Sequence, residues 1–187
     1  MKQHIIPAIR LTIVCILLFM VAYPTLIFLI AKAAPAGGEG QTVVANGQTA
    51  GYLLEGQSFT WDRYFQGRPS AAGYNAAGSS GSNKGPSNPD YLKMVRDRID
   101  SFVVHNPTVQ KGEIPSDLVT ASGSGLDPDI SLKSAIVQVS RIADVRKLPR
   151  EQVMLLVQRS VEKSINGIEK INVLKINIAL DQLSKGK

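Results

Sequence analysis

The sequence holds one cysteine, Cys15, and two histidines, His4 and His105, in 187 residues. A lone cysteine forbids a disulfide within the chain, and Cys15 sits in an apolar run that offers neither a thiolate metal site nor a cysteine nucleophile. Two histidines, one of them close to the N-terminus, argue against a zinc site and against a Ser-His-Asp triad. Aromatic residues are scarce, and four of them (Phe59, Trp61, Tyr64 and Phe65) crowd into one short stretch. The net charge of +6 is spread thinly, with a mild C-terminal excess in Lys163, Lys170, Lys175, Lys185 and Lys187. No basic run is interleaved with aromatics, so a nucleic-acid site has no footprint here and the lysines read as solvated surface. No internal repeat occurs at a useful spacing.

What the chain does have is a long hydrophobic run. Leu11 to Ala31 carries no charge, and as a helix rising ~1.5 Å per residue it spans about 31 Å, the thickness of a bilayer's hydrocarbon core. Pro24 removes one backbone donor and is expected to bend the helix near Tyr23. The competing reading is a cleaved signal peptide ending near Ala31-Lys32-Ala33. The run exceeds the usual signal-peptide core and stops on Lys32, which favours an anchor. Lys2 and Arg10 precede the span, and Lys32 is the only basic residue after it before Arg63. Basic residues stay cytoplasmic, so the N-terminus is placed inside and the bulk of the chain outside. The expected division is a cytoplasmic tail over 1–10, a transmembrane helix over 11–31, a small-residue linker over 32–40 and one extracytoplasmic α+β domain over 41–187.

Within that domain, Val43-Val44 and Tyr52-Leu53-Leu54 suggest short strands. Asp62 is expected to pair with Arg63 or Arg68. Gly67 to Asn88 is mostly Gly, Ser, Ala and Asn, and reads either as disorder or as a loop held by local side-chain bonds. Asn88-Pro89-Asp90 marks a helix start, and the helix runs to about Val104 with Leu92, Val95, Ile99, Phe102 and Val103 as its buried stripe. Ile114 to Thr120 reads as a short strand. Ser131 starts a helix that buries Leu132, Ala135, Ile136, Val139, Ile142 and Ala143 and leaves Gln138, Arg141 and Arg146 on or beside its polar side. A further helix opens at Pro149 and buries Val153, Leu156, Val157 and Val161. From Asn172, alternation of Leu174, Ile176, Ile178 and Leu180 argues a closing strand, with an amphipathic helix as the alternative.

Three groups of residues invite a chemical reading. Ser122-Gly123-Ser124-Gly125 could cradle an anion, but no Gly-Lys-Ser/Thr follows, as a P-loop requires. Asp127 and Asp129 would repel a phosphate, and they fit better as acidic residues serving a helix N-terminus. Ser160 and Lys163 have the spacing of a serine–lysine dyad, yet they fall on an amphipathic stretch beside Glu162, where a solvated face explains them. Asp127 and Asp129 lack a histidine or metal partner for acid–base work. A single span also cannot enclose a pore by itself, and this one holds no acidic or basic side chain, so it is a poor conduit for an ion.

Longer motifs then carry a resemblance. Trp61-Asp62-Arg63-Tyr64-Phe65, Gly67-Arg68-Pro69-Ser70, Tyr74-Asn75, Ser79-Ser80-Gly81-Ser82-Asn83 and Gly85-Pro86-Ser87-Asn88 come in that order. Ser116-Asp117-Leu118-Val119-Thr120-Ala121-Ser122-Gly123-Ser124-Gly125-Leu126-Asp127-Pro128 follows, then Gln138, Arg141-Ile142-Ala143, Arg146, and Asn172-Val173-Leu174 with Asn177-Ile178-Ala179-Leu180-Asp181. Together, over the whole chain, they resemble the C subunit of the Kdp-type potassium-transporting ATPase. The resemblance implies a bacterial inner-membrane complex that imports potassium at high affinity using ATP. A channel-like subunit and a P-type ATPase subunit would be the partners, with ATP and potassium handled by the complex and no cofactor held by this chain. It implies a non-catalytic accessory role, described for the family as a catalytic chaperone that raises the ATPase subunit's nucleotide affinity. Trp61, Asp62, Tyr64, Arg68, Tyr74, Asn75, Ser80, Asn83 and Asn88 would then be partner-binding or structural loop residues. Ser122, Gly123, Ser124, Gly125 and Gln138 fall in the region the family links to nucleotide. An extracytoplasmic domain conflicts with direct contact to cytoplasmic ATP, so a stabilising or gating role beside the potassium entrance fits the topology better. The alternatives are a stand-alone anchored binding module and a Ser160/Lys163 hydrolase.

Overall fold

The computed structural model describes residues 2–164 and 166–185. The chain divides into two compact units, residues 1–41 and 42–187. The first is helical: α1 (Lys2–Ile16), a π-helical turn over Leu17–Ala22, and α2 (Tyr23–Ala33). Gln3–Ala33 is the one segment among the described residues long and apolar enough to cross a bilayer, with a mean hydropathy of 2.8 in its most apolar window. The irregularity expected at Tyr23 takes the form of the π turn. Pro24 has no N–H, and its ring crowds the carbonyl of the preceding turn. The ladder widens ahead of it, and the Tyr23 N–H bonds to the Leu18 carbonyl, five residues back. Pro35–Gly38 then forms a tight turn with Ala36 (φ 56°) and Gly37 (φ 62°) in the left-handed region, and Lys32 pairs with Glu39 at 2.9 Å.

The second unit is α+β. It opens with a hairpin of β1 (Thr42–Ala45) and β2 (Gln48–Tyr52). Asn46 (φ 53°) and Gly47 (φ 77°) make its two-residue turn, and Asn-Gly tolerates positive φ at both positions. The signal was present in the sequence, which otherwise marked only apolar pairs. α3 (Pro89–His105) starts where expected, with the Asn88 side chain accepting from the Tyr91 N–H at 3.0 Å. Its apolar stripe is less covered than the periodicity implies: Phe102 is buried, while Leu92 is 39% exposed. The strand expected over 114–120 is absent. The 3-10 turn Ser116–Leu118 stands there instead, after another at Lys111–Glu113; Pro115 lacks a donor for a ladder, and Ser131 is met there by the Asp117 side chain and not by a backbone ladder.

A three-stranded antiparallel sheet, in the order β3-β5-β4, joins β3 (Asp129–Ser131), β4 (Glu162–Lys163) and β5 (Glu169–Asn172). The register opposes Ile130 to Ile171. Between β3 and β4 lie α4 (Leu132–Ile136), α5 (Val139–Arg146) and α6 (Arg150–Arg159). The chain closes with α7 (Val173–Lys185), so the closing-strand expectation was wrong and the helical alternative holds. The Asn172 side chain accepts from the Lys175 N–H and ends β5. Val173, Ile176, Asn177 and Leu180 then fall on one buried helical face. Val139, Ile142, Val153, Val157, Ile171, Ile176 and Leu180 are fully buried and form the core with Phe65, which arrives from an irregular segment far upstream.

Candidate functional site

Phe65 and Gln66 belong to no strand, yet their backbones lie in the core and need partners there. Two side-chain amides supply them. Asn177 accepts from the Phe65 N–H at 2.8 Å and donates to the Phe65 carbonyl at 2.9 Å. Gln138 accepts from the Gln66 N–H at 2.8 Å and donates to the Gln66 carbonyl at 3.2 Å. Each amide presents the donor–acceptor pair that a neighbouring strand would present. The second Gln138 donor goes to the Ser134 carbonyl, and its oxygen also accepts from Arg141 Nη2 at 2.6 Å. The amide's hydrogen-bonding capacity is thereby filled, and Gln138 is fully buried.

Arg141 extends the network. Its Nε donates to Asn106 at 2.9 Å, and its Nη1 donates to the carbonyls of Tyr64, at 3.0 Å, and Asp62. Asn106 in turn donates to the Phe102 carbonyl at the end of α3. Burial lowers the Arg141 guanidinium to about 10, and the Asp62 charge works against that shift; the group stays cationic at neutral pH. Gln138 and Arg141, expected on a polar face, are thus interior residues. Arg146 is also drawn inward: it bonds Asp181 at 2.7 Å and lies over the Tyr64 ring at 4.8 Å. Tyr64 donates its hydroxyl to Asp181 at 3.0 Å.

The small-residue loops pack on each other. Ser80 N–H and the Ser79 hydroxyl both donate to the Ser124 carbonyl, and Ser122 N–H donates to Pro69. The Ser70 hydroxyl donates to Gly125, and Tyr74 N–H donates to Ser70 Oγ. Tyr74 sends its hydroxyl to the Arg68 carbonyl, and burial followed by the nearby Asp127 charge raises its pKa. Gly125, at φ +68°, has room for no side chain: a Cβ there would sit 2.7 Å from the Ser80 carbonyl oxygen. Gly123 is exposed, and a Cβ there would meet nothing within 4 Å. The two glycines, alike in sequence, have different jobs.

The acidic residues also differ from expectation. Asp62 pairs with His105 at 2.9 Å and lies 4.0 Å from Arg141, and Arg68 pairs with Asp127 at 2.9 Å. Asp129 holds Lys170. The residue that serves the α4 N-terminus is Asp117, which accepts from the Ser131 N–H and the Ser134 hydroxyl; it was missed because it lies in a separate turn. Asn75 caps its own short turn, and Asn88 caps α3. Trp61, Ser80, Asn83, Gly123 and Ser124 remain exposed. The Ser160 hydroxyl donates to the Leu156 carbonyl. Lys163 lies on β4, 3.6 Å from Glu169, so helical spacing does not bring Ser160 and Lys163 together.

Beside the network opens a cleft of about 340 Å³ between the 58–69 segment and α3. Arg68, Arg98 and His105 line it, with the hydroxyl-bearing Ser58, Thr60 and Ser101.

The family model described as "KdpC: K+-transporting ATPase, c chain" matches residues 5–182. A "Potassium-transporting ATPase KdpC subunit" from Flavobacterium psychrophilum is 50% identical over 182 residues, 97% of this chain and 99% of that one. The subunit so named from Bacteroides fragilis is 46% identical over 97% of this chain and 98% of its own. That of Caldanaerobacter subterraneus subsp. tengcongensis is 40% identical over the full length of both.

Proposed function

This chain belongs to the KdpC family of K+-transporting ATPase c chains, and from that premise we propose that it is the non-catalytic accessory subunit of a high-affinity, ATP-driven potassium import complex. The observation that carries this reading is the extent of the match, which takes in the apolar N-terminal helix and the α+β domain alike. The helix anchors the chain in a bacterial inner membrane with its N-terminus in the cytoplasm and the domain outside, as Lys2 and Arg10 favour. The partners are a channel-like subunit and a P-type ATPase subunit. The exposed Trp61, Asn75, Ser80, Asn83, Gly123 and Ser124 are the loop residues available to meet them, while Asp62, Tyr64, Tyr74 and Asn88 shape the loops from within and the half-buried Arg68 does both.

A catalytic-chaperone effect on nucleotide affinity then acts through the partners. Gln138 is buried with its amide fully engaged, which supports a positioning role over contact with ATP. The test is purification of the tagged chain from cells expressing all subunits, together with growth of a deletion strain at limiting potassium. Co-purification with two larger membrane proteins and rescue of growth are expected. A chain that purifies alone and fails to rescue would overturn the reading in favour of a stand-alone anchored module.

A further inference from the structure

The cleft beside α3 is lined by three bases and by no carboxylate. The acids that pair with two of the bases stand outside the lining: Asp127 with Arg68, and Asp62 with His105. Arg98 has no carboxylate partner among the described residues, and its Nη1 donates only to the Val119 carbonyl. Arg98 therefore brings unspent donors to a concave wall that it shares with Arg68 and His105, and Ser58, Thr60 and Ser101 supplement it with hydroxyls. A planar guanidinium with free N–H groups is a carboxylate receptor by geometry and charge.

The wall of this cleft is shared. Ser58, Phe59 and Thr60 also line a neighbouring depression of about 270 Å³ with Trp61 and Tyr64. Trp61 is 65% exposed, a large apolar surface left in water. An exposed tryptophan next to arginines is the composition of a protein–protein anchor point. A free small anion would use the bases and leave Trp61 unused; an acidic segment of a protein uses both.

Resting on the subunit reading above, we propose that this composite surface is a docking site for an acidic segment of a partner subunit. One aspartate, glutamate or chain-terminal carboxylate enters the Arg68–Arg98–His105 cleft, and a neighbouring apolar side chain packs on Trp61. The surface lies beside the Gln138 network, which holds Gln66 on its wall.

The test places a benzophenone amino acid at Thr60 of the full chain, purifies the assembled complex, irradiates it and sequences the cross-linked peptide. The expected result is a partner peptide containing an aspartate, glutamate or C-terminus. Its yield is expected to fall about fivefold or more in Arg98→Glu, the loss expected of one charge-assisted contact, and to recover when the partner acid is changed to arginine. An intact complex with no cross-link to a partner, a cross-linked peptide without a carboxylate, or a yield indifferent to Arg98→Glu overturns the docking site alone; with no partner cross-link, inorganic phosphate binding that Arg98→Glu abolishes identifies a small-anion site instead. A chain that purifies without partners overturns the subunit reading and the docking site with it.

Discussion

Gln138 holds Gln66 as a neighbouring strand would, taking its N–H at 2.8 Å and donating to its carbonyl at 3.2 Å. Through that pairing an irregular segment, 72 residues away in the chain, is fixed against α5 and delivers Phe65 to the core. The Gln138→Ala variant leaves both Gln66 backbone groups without a partner and removes one of the acceptors of Arg141. Each buried orphan costs ~1–3 kcal/mol, so a loss of about 3–5 kcal/mol is expected in denaturant unfolding of the purified chain. A Gln138 that served nucleotide instead would leave unfolding unchanged, and ATP would raise the wild-type Tm.

Arg141 joins α5 to α3 and to the 62–64 carbonyls by a fork of donors. Lysine keeps the charge and loses the fork. Arg141→Lys is expected to destabilise by up to about 3–5 kcal/mol, the range for breaking a buried charged pair. A shift under about 0.5 kcal/mol, the level of an ordinary surface change, contradicts the network.

The two glycines of the 122–125 loop separate packing from exposure. Gly125→Ala meets the Ser80 carbonyl and the Ala72 side chain at positive φ, and a loss of about 2 kcal/mol or more is expected. Gly123→Ala meets nothing and is expected within about 0.5 kcal/mol of wild type. Matched melting curves of the two variants decide it; equal effects would mean the loops do not pack this way.

Lys170 is bonded by Asp129 at 2.5 Å, and that bond raises its pKa above the ordinary 10.5 although burial opposes it. The folded chain therefore holds this proton more tightly than the unfolded one. The resulting stability is fully present below pH 10.5 and is lost as pH rises through the folded value. Lys170→Met is expected to remove that alkaline decline and to lower stability at pH 8. Denaturation midpoints at pH 8 and pH 11 test both, and an unchanged slope in the variant refutes the assignment.

Legibility in the sequence followed the range of the interactions. Asn88-Pro89-Asp90 announces α3 because its cap is local, and the apolar run announces the long N-terminal helix because composition suffices. Residues 172–180 fit both periods, and only the burial of Ile176, Asn177 and Leu180 in the core with Phe65 selects the helix. Asn46-Gly47 was readable as a hairpin turn from its φ preference. The polar network was not readable, because periodicity assigns Gln138 and Arg141 to water. Their true partners are the backbones of Asp62, Tyr64 and Gln66, whose irregular path no local pattern reveals. The same distance effect hides Asp117 and explains why Asp62 pairs with His105 and not with Arg63 or Arg68.

The most direct test of the account is the side of the membrane on which the domain lies. Intact spheroplasts treated with protease, and compared with lysed ones, report it through an antibody against residues 42–185. Cleavage in intact spheroplasts is the predicted result, and it means that any influence on ATP use passes through partner subunits. Protection until lysis would contradict the account, put the domain beside cytoplasmic ATP, and return the Ser122–Gly125 loop to consideration as a nucleotide contact.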